Sequence, residues 1–170
     1  MDLSEIHWSD NIEHTLRMMR EHGLLLTSLD GEGRPNTMTI GWGNLGVIWA
    51  LPIFIVYVRP SRFTFGNMEA TGEFVVSVPA DDMHDACMYC GSKSGRDVDK
   101  FAEQGLTAIP AATMNVPLIG ECVRHYECKV VHYNDVSDAA LDPDVRAEHY
   151  PSGNLHRVYY GRVLRATERA

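Results

Sequence analysis

The sequence predicts a mainly β fold, an antiparallel barrel with α-helical insertions, and three observations carry that prediction. Apolar and β-branched residues collect in six or more short runs, bounded by Gly, Pro, Asn or Asp. A few segments with helical spacing lie between those runs. At 170 residues the chain is most simply one domain, residues 1–170, long enough to bury a substantial core.

In chain order, Ile12, Leu16 and Met19 repeat at helical spacing and Gly23 is a stop signal, which predicts a helix over 10–22. A strand over 24–29 follows. Asp30-Gly31-Glu32-Gly33 is a turn whose glycines permit positive φ. Strands are expected at 36–42, 45–50 and 53–58, with Asn44 and Gly46 suited to a tight hairpin between the first two. Pro60 ends the third, and Ser61 is placed to cap a helix over 62–71. Glu73 to Val78 is a strand stopped by Pro79. Asp81 or Asp82 can cap a helix reaching Tyr89, and a shorter helix covers 98–104. Pro110 and Pro117 bracket a loop containing Thr113-Met114-Asn115. A long strand is expected over 120–133 and a final one over 156–167. The polar stretch 134–154 between them reads as a loop with one helical turn at 143–148, and loops of that length are often functional.

Composition excludes several classes. A formal charge of −8 argues against a nucleic-acid partner and against anionic membrane surfaces. The longest apolar run, Val47 to Val58, contains Pro52 and is too short to span a bilayer, so it reads as two buried strands. Asp2, Glu5 and Asp10 near the start do not resemble a signal peptide, and a cytoplasmic location is the default.

Four cysteines are then expected to be reduced. Cys87-Met88-Tyr89-Cys90 is a C-x-x-C pair, open to a redox or half-zinc reading but more simply buried structural thiols. Cys122 and Cys128 would lie about 20 Å apart on an extended strand and cannot share a metal there. Of the eight histidines no two form H-E-x-x-H. His125 and His132, seven apart on one strand, are expected on opposite faces. No G-x-S-x-G nucleophile motif, triphosphate loop or G-x-G-x-x-G fingerprint is present.

The chemistry-bearing segment is Val58-Arg59-Pro60-Ser61-Arg62-Phe63-Thr64. A strand stops at a proline, and a helix N-terminus with free N–H groups follows, between two arginines and two hydroxyls. It reads either as an anion seat, suited to a phosphate, or as an ordinary strand-to-helix turn with two solvated arginines. Gly91-Ser92-Lys93-Ser94-Gly95 is a second loop able to turn several N–H groups toward an anion, or else a solvated Ser/Gly loop.

Three blocks carry a resemblance. Asn36-x-Met38-Thr39 with Trp42, followed by Val58-Arg59-Pro60-Ser61-Arg62-x-Thr64, resembles the flavin reductase-like, FMN-binding split-barrel proteins, with the flavoredoxins the nearest branch. Gly91-Ser92-Lys93-Ser94-Gly95-Arg96-Asp97-x-Asp99-Lys100-Phe101 is similar to the block those proteins carry after their central strands, and His156-x-x-x-x-Gly161-Arg162-Val163 to their closing strand. The residue before His156 is Leu155, where the reductases carry an acidic one. The resemblance implies a single FMN-binding split β-barrel and a homodimer. It assigns the phosphate to Arg59, Ser61, Arg62 and Thr64, with Lys93 and Ser94 on the second loop. It assigns the edge of the flavin ring to Asn36 and the backbone of Thr37 to Thr39, and the ring face to Trp42 and Met38. The residues' own readings remain beside it: Asn36 as a turn end, Trp42 as a core residue. By the same resemblance His132 or His156 approaches the flavin or its electron donor. The expected function is NAD(P)H-dependent flavin reduction, without a Rossmann fold and with no catalytic side chain required. The alternative is a flavoredoxin-like electron carrier with tightly held FMN and a protein redox partner. The donor or acceptor is otherwise a small molecule.

Overall fold

The computed structural model describes residues 2–169. The elements are β1 (Leu3–Ile6), α1 (Ile12–Glu21), β2 (Leu24–Leu29), β3 (Pro35–Ile40), β4 (Gly43–Ile48), β5 (Leu51–Val58), α2 (Phe63–Thr71), β6 (Glu73–Val78), α3 (His84–Ser92), α4 (Lys100–Glu103), β7 (Ala108–Ile109), β8 (Leu118–Ile119), β9 (Arg124–Asp135), a 3₁₀ turn (Asp138–Ala140), α5 (Pro143–His149) and β10 (Arg157–Arg169). None of the described helices is long and apolar enough to cross a membrane.

Eight strands form one antiparallel sheet in the order β3-β2-β6-β9-β10-β5-β4. β5 pairs with the first half of β10, through Arg162, and β1 with its end, from Ala166, so the two share one edge of that long strand. The sheet curls until β3 lies against β5 with no ladder joining them among the described residues. That seam is where the barrel is split, and a surface cleft lies along it.

Alternation decides the core. Leu24, Leu26, Met38, Ile40, Phe54, Val56, Phe74, Val76, Tyr126 and Tyr159 point inward, with Met18, Met19 and Met68 of the helices closing the interior. The intervening residues of β2 and β6 are also buried, because α3 and the 105–122 excursion cover the outer face. Double burial is why β2 reads Leu-Leu-Leu-Thr-Ser-Leu rather than alternating. Gly161 on β10 is required by packing, since a Cβ there would lie 2.3 Å from Phe74 Cζ.

Several expectations need correction. No hairpin forms at Asn44 and Gly46; both sit inside β4, opposite Ile55 and Ile53. β3 pairs with β2, and the tight turn is instead Trp49-Ala50, both at φ 56°, joining β4 to β5. Two L-residues in the left-handed region give no glycine signal to read. The 47–58 run is only half buried, with Val47 63% exposed on edge strand β4. Ser61 does not cap α2: Arg62 is the cap residue and makes no side-chain cap bond. Neither Asp81 nor Asp82 caps α3, which begins at His84 after Met83 and runs through Gly91 and Ser92, so the loop expected from Gly91 starts at Lys93. β1 and the β7–β8 pair were not expected, and the long strand starts at Arg124 rather than at 120.

Nor are His125 and His132 on opposite faces. Val131 is an extra residue in β9, because Gly161 pairs with Val130 while Tyr160 pairs with His132. This bulge restores His132 to the outer face that carries His125. His125 is buried there, its Nδ1 3.0 Å from Ser77 Oγ, and burial pushes its pKa down to about 4. Cys87, Cys90 and Cys122 pack in the outer cluster and Cys128 in the barrel core. All four are free and buried, and burial raises the Cys87 thiol to about 11, so it stays protonated at neutral pH.

Candidate functional site

β3 forms one wall of the seam. The turn after β5 forms the other, because Pro60 cannot extend the ladder and the Arg62 N–H bonds back to the Arg59 carbonyl at 3.0 Å. The chain after α3 forms the floor, and the segment 149–156 covers one end. Two adjoining depressions result. One is lined by Met38 to Trp42, Tyr57, Arg59, Arg62 and His156. The other is lined by Asn36, Met38, Ser61 to Thr64, Ser92 to Gly95 and Lys100. They share Met38 and Arg62.

Ten of the eleven residues expected from sequence face this paired cleft. Thr37 is the exception. Its side chain is fully buried and its Oγ1 donates to the Leu26 carbonyl, so only its own carbonyl reaches toward the site. Asn36 Nδ2 donates to Thr64 Oγ1 at 3.0 Å, fastening β3 to α2. Gly95 lies against this pair, where a Cβ would fall 2.0 Å from Asn36 Oδ1 and 2.7 Å from the Phe63 ring. Thr39 Oγ1 donates to the Cys87 carbonyl, fastening β3 to α3. Trp42 is not a core residue: it is 40% exposed, with His149, Tyr150 and His156 packed around its ring.

The two arginines play different parts. Arg59 donates to the His149 and Asn154 carbonyls at 3.0 and 2.8 Å and stacks over Tyr150, so it clasps the covering segment. Ser61 Oγ joins the clasp by accepting from Asn154 Nδ2 at 2.8 Å. Arg62 bonds one carbonyl, of Gly91, at 3.1 Å and faces both depressions. Ser94 and Lys93 line the second depression from the loop after α3, and Ser94 Oγ also accepts from the Arg96 N–H.

His156 precedes β10 with its Nδ1 2.8 Å from the Tyr150 hydroxyl. Burial first, then the charges of Arg59 and Arg62, lower its pKa to about 4, so the ring is neutral at pH 7. His132 lies elsewhere, beside Trp49 and Tyr160 on the outer face, and does not reach the cleft.

Sequence reasoning missed Lys100. It is 4% exposed, and its ammonium donates to the Thr37 and Cys90 carbonyls, both at 2.8 Å. No carboxylate pairs with it among the described residues, and burial pulls its pKa down. Two of its three N–H groups are used, and the residue lines the second depression. Tyr150 and Asn154 were missed as well, although the length of the 134–154 stretch marked the segment.

The arrangement suits a planar molecule with an anionic tail. Cations and hydroxyls collect at one end, within a chain whose overall charge is negative, and Met38, Trp42, Tyr57 and neutral His156 wall the other.

Comparisons with known proteins follow the same line. Residues 17–170 match the family described as the flavin reductase like domain. An uncharacterized protein of Archaeoglobus fulgidus is 30% identical over 113 residues, 66% of this chain and 63% of its own length. The curated relatives matched are covered over only 60–65% of their length. Among solved structures, the flavoredoxin of Desulfovibrio vulgaris (Miyazaki F) superposes with a TM-score of 0.70 at 23% identity, over 86% of this chain and 69% of that one. An FMN-binding domain of a flavin reductases-like enzyme from Shewanella baltica OS155 gives 0.70 at 18% identity, over 98% and 77%. A split barrel domain protein from Shewanella frigidimarina NCIMB 400 gives 0.69 at 17% identity, over 95% and 79%. At these identities the likeness establishes the fold, which is the split barrel expected from sequence.

Proposed function

We propose that this chain, which belongs to the flavin reductase-like domain family, binds FMN in the seam cleft and acts as an oxidoreductase that takes its electrons from NAD(P)H. The observation that carries this reading is the buried Lys100 ammonium, without a carboxylate partner among the described residues, beside Arg62 and next to an aromatic slot. A buried cation left uncompensated is costly, and a ligand phosphate supplies the missing charge.

In this reading Arg62, Lys93, Lys100, Ser94 and Thr64 hold the phosphate, and Asn36 with the β3 backbone holds the ring edge. Met38 and Trp42 cover a ring face. When bound, FMN supplies the redox chemistry as a hydride or single-electron carrier. The chain's own residues bind, orient and exclude water. Arg59 keeps the 149–154 segment closed over the slot, and neutral His156 can present a hydrogen bond without adding charge. No side chain is needed to move a proton during hydride transfer.

A second reading, electron transfer to a partner protein, is favoured by Trp42, which leaves an aromatic group exposed at the cleft mouth. Stopped-flow mixing of the FMN-loaded protein with NADH and with NADPH separates the two. Rapid bleaching of the flavin supports the reductase, and no bleaching with either donor supports the carrier. The homodimer belongs to the same proposal; light scattering reading twice the 19.1 kDa chain mass supports it and a monomer defeats it. A cytoplasmic placement belongs to the same proposal, and the four buried free cysteines are compatible with it.

A further inference from the structure

We propose that His22 and His84 form a two-histidine zinc site that joins the end of α1 to the start of α3, apart from the flavin cleft. His22 is the C-cap residue of α1 and His84 opens α3. Their Nδ1 atoms are 3.3 Å apart, with ring planes at 82°. That separation lies at the long end of a hydrogen bond between the two rings.

It is, however, the separation two imidazole nitrogens have on one tetrahedral ion. With Zn–N of about 2.0–2.1 Å, the tetrahedral angle places two ligand nitrogens about 3.3–3.4 Å apart. Ligands at right angles, as in square-planar copper or octahedral ions, would be about 2.9 Å apart. That separation fits a tetrahedral ion such as zinc better than an ion that prefers right angles.

No group of three or more His, Cys, Asp or Glu gathers among the described residues. Two positions on the ion are thus left to water, and the site is open and exchangeable rather than a closed structural centre. The C-terminal end of α1 favours a cation at His22, and Asp82 and Asp85 flank His84 in sequence. The consequence reaches the cleft through α3, whose Cys87 carbonyl holds Thr39 of β3 and whose end leads into the Lys93–Gly95 loop. Zinc would staple α3 to α1 and hold that loop's base.

The test is calorimetric titration of zinc chloride into the full-length protein after chelator treatment. We expect one zinc per chain. His22→Ala and His84→Ala should each weaken it tenfold or more, while His14→Ala, on the same helix, leaves it unchanged. Cobalt(II) substituted into the site should give the intense visible bands of a tetrahedral ion. No binding, binding that survives both histidine changes, or binding lost only with Cys87→Ser would overturn the proposal. Thermal unfolding of each variant without metal confirms that it is folded, since both histidines lie at the surface.

Discussion

Lys100→Met separates a ligand-directed charge from a merely structural lysine. The change keeps the length of the side chain and removes the ammonium. In the free protein this ammonium is desolvated, holds two neutral carbonyls and has no counter-ion among the described residues. Two costs oppose each other on its removal. The Thr37 and Cys90 carbonyls lose a donor, worth about 1–3 kcal/mol for each group left unpaired. The unfavourable burial of charge disappears, which offsets part of that loss. Net stability should therefore change modestly. Ligand binding has no such offset. A charge-assisted hydrogen bond to phosphate is worth about 1.5–3 kcal/mol, so FMN should bind one to two orders of magnitude more weakly. Riboflavin, which lacks the phosphate, should change by no more than a few-fold. Fluorescence-quenching titrations of both flavins, in wild type, Lys100→Met and Lys100→Arg, read this directly. Equal loss of both flavins would mean that Lys100 only organises β3 and α3. Unchanged FMN affinity would mean that its third N–H is not aimed at the phosphate.

The same contacts set further outcomes. Arg62→Ala should weaken FMN selectively, whereas Arg59→Ala should weaken FMN and riboflavin alike and expose the 149–154 segment to protease, as Arg59 is spent on two carbonyls of that segment; paired titrations and limited proteolysis check both. Gly95→Ala should abolish tight FMN binding while circular dichroism stays native, because its Cβ would fall on Asn36 and Phe63 at the cleft floor. Acid should destabilise the fold well before carboxylates titrate. His125 has a folded pKa of about 4 against 6.5 in the unfolded chain, so the unfolded state binds the extra proton and stability falls as pH drops from about 6.5 toward 4. That histidine alone contributes about 3 kcal/mol to the fall, and His125→Gln should flatten the slope in urea denaturation between pH 7 and 5.

Much of this molecule is legible in one dimension. Leu24 to Leu29, Glu73 to Val78 and the run into Val58 declare themselves through β-branched and apolar content with Gly and Pro at the ends, since a strand's period and its stops are local properties. Donor chemistry is local too, so Arg62, Lys93, Ser94 and Thr64 could be nominated from their spacing and from a family resemblance. What neighbours do is not local. The turn at Trp49-Ala50 has no glycine because the β4–β5 register holds it, and the bulge at Val131 exists only relative to Gly161 and Tyr160 across the ladder.

The clearest divisions lie at Arg59 and Lys100. The sequence presents Arg59 and Arg62 as equivalent cations flanking a serine, and only the folded chain hands one to the 149–154 segment and leaves the other facing the cleft. In the sequence Lys100 is an ordinary lysine in the short helix expected over 98–104, and solvation would keep it there at no cost. Packing α4 against β3 strips away its water and leaves it two carbonyls, so a residue type common on surfaces becomes a buried charge with no carboxylate partner among the described residues. Residue identity determined which chemistry the chain carries. Desolvation, which depends on every element that packs nearby, decided which of those groups are free to use it.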